Sequence, residues 1–573
     1  MKWFLLALTI LILKTSALSL DREAFIFTKY NLDIQIDPEQ QRLEVRGSIV
    51  VRNDSDMPQK NIPLQISSSL NWISIRIAGK AADFIAQPYT SDIDHTGGLS
   101  EAIMTLPQAV PPKGSIEMEV GYEGTIPLDA TRLTSLRIPK RISEQSDWDE
   151  IGKKFTAVRG IGYVTWYPIA TEAADLSDKD AVFETIARWK RREAQSEMYV
   201  NLHFTQENSD EAPRLLCGGQ KTNQTTEQIG PAQLVTIACA YSPVRLAVPS
   251  FALGRYSALE RPEIDIYYLA EHKAAAENYA LAAELEVPFV TEWFGAPRLK
   301  AEVVELAGDR SSPFESEASL FTPLVSDDST KYTLAVVHQL THAAFLSPRL
   351  WIYEGLAHFA QAVAVENKSG RQAALDFIGV HLASIAAAEK SAMEKHDPNG
   401  EAAESLINTD AEEFYRSKAM YVWWMLRDLV GDQALKKSLA AYRPNEDKDP
   451  SYMPRLIQAQ TKRDLEWFFD DWVYRDHGLP DFRVQSAYPR KLVSGGYMVT
   501  ITVENLGNAG AEVPLILKME GGEIRKLLEV HAKSKASIRI ESATTPQEII
   551  LNDGIVPESD VSNNTYKIVL PQS

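Results

Sequence analysis

Val336-Val337-His338-Gln339-Leu340-Thr341-His342 leads into Ser347-Pro348-Arg349-Leu350-Trp351-Ile352-Tyr353-Glu354-Gly355-Leu356-Ala357. Together the two segments read as a pair of helices, and they set the reading of what surrounds them. His338 and His342 stand four residues apart, so on a helix both imidazoles leave the same face. That spacing suits two ligands of one tetrahedral zinc. Ser347-Pro348 predicts the start of the second helix, with Ser347 as N-cap and Pro348 in the first turn. Glu354 then falls inside that helix, where it can reach back as a third ligand. The fourth position stays open for water, as a catalytic zinc requires. Gly355 beside it lets two helices approach closely. The plain alternative is two satisfied histidines on a buried helix. With ten histidines in the chain, chance alone gives about 0.2 pairs at this spacing, so a bare pair weighs little. The Trp-x-x-Glu-Gly-Leu-Ala that follows weighs more.

Around the pair, helical spacing persists. Glu271–Phe294 is Ala-rich and ends at Gly295. Tyr332–Leu346, Pro348–Asn367, Arg371–Lys390, Glu412–Val430 and Gln433–Tyr442 carry the same period, and Leu465–Tyr474 adds an aromatic-faced helix. The block 256–480 therefore reads as mainly α. Upstream the period is two: Leu32, Ile34 and Ile36, a turn at Asp37-Pro38, then Leu43, Val45, Ile49 and Val51. The alternation recurs in Trp72–Ile77, Ile116–Val120 and Tyr199–Phe204, so 20–255 reads as an antiparallel β domain. Ser143–Lys154 and Thr205–Gln233 are polar and read as loops. After Leu479-Pro480-Asp481 the period of two returns, in Met498–Val503, Val513–Leu517 and Ile538–Ile540, with Gly507 and Gly510 in a turn. The segment 481–573 predicts an immunoglobulin-like β-sandwich. The order β, α, β argues a multidomain α+β protein of three domains rather than one α/β sheet.

Composition narrows the function. The chain has 573 residues, with 59 Lys+Arg against 78 Asp+Glu, a formal charge of −19. That balance disfavours a nucleic-acid surface or an anionic membrane as partner. At the N-terminus, Lys2 precedes the apolar run Trp3–Leu13, followed by Lys14 and the small residues Ser16, Ala17 and Ser19. The run is too short to cross a bilayer and reads as a secretory signal peptide, residues 1–19. The mature chain is then expected to be exported, to the periplasm or outside the cell, with no membrane span. Cys217 and Cys239 flank a polar loop. They are either a disulfide, which an exported compartment permits, or two separate buried thiols.

The motif resembles that of the gluzincin zinc peptidases, in particular the membrane alanine aminopeptidase family. Their signature is His-Glu-x-x-His, then a Glu within a second helix. Glu292-Trp293-Phe294-Gly295-Ala296-Pro297, followed by the Ala301–Leu306 strand, resembles that family's approach to its active site. Tyr415-Arg416-Ser417-Lys418-Ala419 resembles its tyrosine helix. Trp467-Phe468-Phe469-Asp470-Asp471-Trp472 and Gly478-Leu479-Pro480 resemble the end of its helical domain, and the N-terminal β region resembles its saddle-like first domain. The resemblance implies one zinc per chain held by His338, His342 and Glu354, a peptide or protein substrate, and Tyr415 as donor to the developing oxyanion. Tyr421, Trp423 and Trp424, on the same helix, read as core.

Three departures qualify this. Gln339 stands where the family has the Glu that takes a proton from the attacking water. An amide cannot accept that proton at neutral pH, and loss of a general base typically costs about 10²–10⁴ in rate. Eleven residues separate His342 from Glu354, fewer than in the family pattern. The family's substrate-anchoring Gly-Ala-Met-Glu-Asn motif is replaced by Phe314-Glu315-Ser316-Glu317-Ala318-Ser319-Leu320. Here Glu315 or Glu317 is a candidate to grip a peptide amine, a solvated acidic turn being the plainer reading. His358, four residues after Glu354, reads as packing or as support for a ligand. Asp553, Glu558, Asp560 and Asn563-Asn564 form an acidic loop that reads as a calcium site or a strand-connecting turn. The expectation is thus an exported zinc metallopeptidase-like protein with activity weakened at Gln339, or a catalytically silent relative that binds peptides without cleaving them. An adhesion or scaffold role for the two β domains is a third reading, which the metal constellation argues against.

Overall fold

A computed structural model describes residues 20–91, 98–126, 149–159, 165–171, 182–207, 212–307, 313–324, 329–395, 405–409, 411–475 and 478–570. The expected signal peptide and the first half of Ser143–Lys154 lie outside them; in the second half, read as loop, Glu150–Ile151 forms a short strand paired with Phe155–Val158.

The alternating N-terminal sequence forms an eight-stranded sheet. Phe25–Asp37 pairs antiparallel with Arg42–Asn53 and parallel with Glu197–Glu207, the one parallel step in that sheet. Leu32, Ile34, Ile36, Leu43, Val45, Ile49 and Val51 all point into one core, as their period demands. A three-stranded and a four-stranded sheet accompany it. The reading of Thr205–Gln233 as loop is corrected: it contains the strands Arg214–Cys217 and Gln220–Ile229. The second is exposed along its whole length, so no hydrophobic alternation marks it. Its place is set by the backbone ladder to Ala232–Tyr241. Cys217 and Cys239 form a disulfide with Cα atoms 6.6 Å apart. It joins Arg214–Cys217 of the four-stranded sheet to Ala232–Tyr241 of the eight-stranded one.

The middle of the chain is helical, with a five-stranded sheet against it in the order Ser257–Glu260, Ile264–Tyr268, Ala301–Glu305, Ser319–Thr322, Phe314–Ser316. Helix Lys273–Phe294 packs on helix Ser329–Ala344. The expected helix 371–390 is broken into Arg371–Gly379 and Leu382–Lys395. The expected helices 412–430 and 465–474 each contain a π-helical stretch, Glu413–Lys418 and Asp470–Tyr474. Beyond Pro480, a three-stranded and a four-stranded antiparallel sheet face a shared core of Val499, Ile501, Val513, Leu515 and Leu517. The chain is multidomain, with a helical middle and C-terminal sheets. One apolar cluster runs through the N-terminal sheets and a second is continuous from Ile264 to Val556.

Candidate metal site

Val336, Val337, Leu340 and Ala343 bury one side of helix Ser329–Ala344, and this fixes its rotation. His338 and His342 consequently point the same way, with Nε2 atoms 3.0 Å apart and rings edge to face. Helix Leu350–Ser369 brings Glu354 alongside. Its carboxylate oxygens lie 3.9 Å from His338 Nε2 and 4.0 Å from His342 Nε2. Gly355 does not face the histidine helix; it lets helix Leu350–Ser369 approach helix Ala419–Val430, where a Cβ would meet the Ala419 Cβ at 2.7 Å and Trp423 at 3.0 Å. One detail is corrected. The helix begins after Arg349, not at Ser347, whose hydroxyl instead accepts the Arg349 N–H at 3.1 Å and meets the Tyr442 hydroxyl at 3.0 Å. That makes a turn before the helix rather than a cap on it.

A fourth group completes the cluster. Glu315, on the strand Phe314–Ser316, sets a carboxylate oxygen 3.1 Å from His338 Nε2 and 3.4 Å from His342 Nε2. Glu315, His338, His342 and Glu354 are the only such cluster of potential ligands among the described residues, all within 4.8 Å of one another. A tetrahedron around a small divalent ion with bonds near 2 Å has edges of about 3.3 Å, inside the range these atoms span. Two imidazoles and two carboxylates are a donor set that can hold a metal ion. Side-chain exposure is 26 % for Glu315, 11 % for Glu354, 6 % for His338 and 1 % for His342, so Glu315 forms the solvent side of the cluster.

The electrostatics follow from this crowding. Burial alone would raise the Glu315 carboxyl, but the adjoining His338 and His342 hold it well below the usual carboxylate range. Burial also disfavours a charged His338, yet Glu315 beside it leaves its pKa raised. His342, more deeply enclosed and facing a charged His338, is lowered. Tyr353 stacks on His342 with ring centroids 3.8 Å apart and donates its hydroxyl to the Glu317 carbonyl at 3.2 Å. The Nδ1 of His342 is buried with no hydrogen-bond partner among the described residues.

Gln339 is fully buried, and neither its Oε1 nor its Nε2 finds a hydrogen-bond partner among the described residues. Tyr415 lies in the π-helical turn Glu413–Lys418, a kind of irregularity common at functional positions. Burial raises its pKa, with Arg416 and Glu354 the charges acting on it most, so its phenol stays protonated and able to donate. Arg416, next to it, donates Nε to a Glu354 oxygen at 3.1 Å and pairs through Nη1 with Glu412. Tyr421, Trp423 and Trp424 are core, with Trp423 stacked on Trp351.

His358 supports rather than ligates. Its ring stands edge to face with His338 at 4.9 Å, and its Nδ1 is 3.0 Å from Gln361 Oε1. Glu317 is not solvated: it pairs with Arg245. The C-terminal acidic loop is a tied turn, with Glu558 accepting from the Phe482 N–H and from Asn564, and Asp553 paired with Arg525. It is not among the clusters that can hold a metal.

The sequence marks Glu315 only as a candidate to grip a peptide amine, because strand-borne ligands carry no helical spacing. Arg416 lies next to Tyr415, and no spacing in the sequence marks its pairing with Glu354. No family model and no curated protein matches the sequence.

Proposed function

We propose that the protein is an exported zinc-binding relative of the gluzincin aminopeptidases that holds a peptide or protein at its metal site and hydrolyses it weakly or not at all. The observation that carries this is Glu315, whose carboxylate lies 3.1 Å from His338 Nε2 and 3.4 Å from His342 Nε2 and would fill the position that a catalytic zinc leaves to water. A bound zinc supplies Lewis acidity to whatever reaches it. His338, His342 and Glu354 would hold the ion from the two helices, and Glu315 would be its fourth protein ligand, from the strand. Gln339 contributes an amide where hydrolysis needs a proton acceptor. Tyr415 keeps its hydroxyl proton on the turn whose Arg416 donates to Glu354, the feature that favours residual peptidase activity. On this reading the N-terminal sheets correspond to a saddle-like domain and the C-terminal pair to an immunoglobulin-like sandwich. The disulfide fits an oxidising compartment outside the cytoplasm.

Two defects should then need repair together. Metal analysis of the purified protein is expected to find about one zinc per chain, lost in His338→Ala. In a peptide-hydrolysis assay Gln339→Glu alone is expected to gain little, and Gln339→Glu with Glu315→Ala to gain about 10²–10⁴ in rate. Absence of zinc from the wild type refutes the reading. Fast hydrolysis by the wild type, unchanged by Glu315→Ala, refutes the silent form of it.

A further inference from the structure

Glu315 reaches the histidines from a strand that the N-terminal sheets hold in place, and the holding segment is itself tied by the disulfide. Ser316, next to Glu315 on that strand, is fully buried. Its hydroxyl reaches the Gly218 carbonyl at 3.2 Å and the Val248 carbonyl at 2.5 Å. The fit is close, since a Cβ on Gly218 would stand 2.7 Å from the Ser316 Cβ. One residue further along, Glu317 pairs with Arg245. Arg245 and Val248 lie in the irregular segment 242–250, and the Ser250 carbonyl at its end accepts the Gly218 N–H at 2.9 Å. Cys239 precedes this segment, on strand Ala232–Tyr241. Phe251 follows it and pairs with Cys217 on the ladder between Phe251–Gly254 and Arg214–Cys217. The Cys217–Cys239 bond therefore closes the segment into a ring, one junction covalent and the other a backbone ladder. Gly218, Arg245 and Val248, which grip the hairpin, all lie on that ring or beside it. A loop fixed at its base has fewer conformations than one whose ends are free.

We infer that Ser316 and the Cys217–Cys239 bond together position Glu315, so that the oxidation state of the two cysteines sets whether Glu315 or water takes the fourth place at the metal. With the bond intact, Glu315 is held at both imidazoles. With the bond reduced, the base of segment 242–250 opens, the Gly218 and Val248 carbonyls leave Ser316, and Glu315 withdraws. The inference rests on the metal-site reading above and adds a redox dependence to it. Both sulfurs are buried, and Cys239 is paired with Lys221 of the edge strand Gln220–Ile229. That strand is exposed along its whole length, and its local opening is the way in for a reductant.

The test uses the full chain loaded with zinc or with cobalt(II), and tris(2-carboxyethyl)phosphine as reductant. The phosphorus takes the oxygen of a water and becomes the phosphine oxide as the S–S bond breaks into two thiols. A chromogenic chelator in excess reads metal release. Reduction is expected to speed zinc release about 10–100-fold, the range for loss of a group that orients a ligand. Cys217→Ser with Cys239→Ser, which leaves no thiol to bind the ion, should release zinc at the reduced rate. Ser316→Ala should do the same with the bond intact and gain little on reduction, because the two act through one contact. Cobalt(II) supplies a readout that general loosening does not move. Its visible spectrum should stay constant through neutral pH in the oxidised chain and titrate at about pH 7 in the reduced chain, where water has reached the ion. Equal release rates in the two states, or a cobalt spectrum that titrates in both or in neither, overturns the coupling. So does zinc loss that coincides with loss of the circular-dichroism signal of the sheets. A wild type that takes up neither metal refutes the metal reading itself, so the two failures are told apart.

Discussion

Gln339→Met isolates what the amide at position 339 costs. The two side chains are unbranched and similar in volume, so the exchange leaves packing nearly unchanged. Gln339 is fully buried and both of its polar atoms lack a partner among the described residues. A buried polar group in that state costs about 1–3 kcal/mol, and methionine removes the cost. The surrounding core is continuous from Ile264 to Val556. A unit of that size unfolds with an entropy of roughly 0.6 kcal/mol/K, so the gain corresponds to a rise of about 2–5 °C in its transition. Scanning calorimetry with chelator present measures this directly. Gln339→Glu should move the same transition down, and further at pH 8 than at pH 5. A buried carboxyl with no donor has its pKa raised, so the stability it retains at low pH is lost as pH climbs through that raised value. If Gln339→Met leaves the midpoint unchanged or lowers it, the amide has a partner in the folded chain.

The remaining expectations concern other parts of the molecule. Burial pushes the Glu193 carboxyl up to about 8 while it accepts the Phe27 N–H at 3.1 Å. The folded chain therefore holds that proton more tightly than the unfolded chain does. Its contribution is complete below about pH 4.3 and is lost as pH rises toward 8. Denaturant titrations should show Glu193→Gln flattening the stability curve over that window, and parallel curves would contradict the burial argument. Gly355→Ala drives a methyl to 2.7 Å from Ala419. It should cost about 1–3 kcal/mol and, by shifting Glu354, lower metal content; wild-type values for both would show that the helices have slack. The Cys217–Cys239 bond closes a loop with a sequence separation of 22. Cys239→Ala should destabilise the N-terminal sheets by about 3 kcal/mol, and an unchanged unfolding midpoint would remove the disulfide from the account.

What could be read in advance follows from what kind of signal each feature leaves. His338, His342 and Glu354 share helical spacing, and a period of 3.6 residues puts them on defined faces before any tertiary structure is known. Leu32, Ile34 and Ile36 were equally legible, because one face of their strand is buried. Gln220–Ile229 was not, since no residue in it is buried and its pairing is carried by backbone alone. The π-helical turn at Glu413–Lys418 was hidden for a different reason. Its i→i+5 bonds leave the sequence periodicity of the flanking helix almost intact while rotating Tyr415 and Arg416 relative to Met420 and Tyr421. Glu315 required tertiary information outright. The hairpin that carries it is positioned by contacts far away in sequence, with Ser316 donating to the Gly218 and Val248 carbonyls and Glu317 paired to Arg245.

Those distant contacts bear on what the site is for. Glu317, in the hairpin turn, adopts φ 55, an uncommon conformation for a residue with a side chain. It is held there by Arg245 and by the Tyr353 hydroxyl on its carbonyl. The hairpin is thus over-determined, and Glu315 is delivered to the histidines by a rigid arm rather than a loose loop. Under the proposed reading, an amide stands at 339 where the resembled pattern has a carboxylate, and a carboxylate stands instead at 315, 3.1 Å from His338 and 3.4 Å from His342. A carboxylate beside the ligands on the helix can take a proton. A carboxylate on the opposite side, at ligand distance from both imidazoles, neutralises a divalent charge together with Glu354 and blocks the approach of water. Under the proposed reading, this relocation exchanges reactivity for retention of the ion, and the rigidity of the hairpin keeps Glu315 from moving aside on its own.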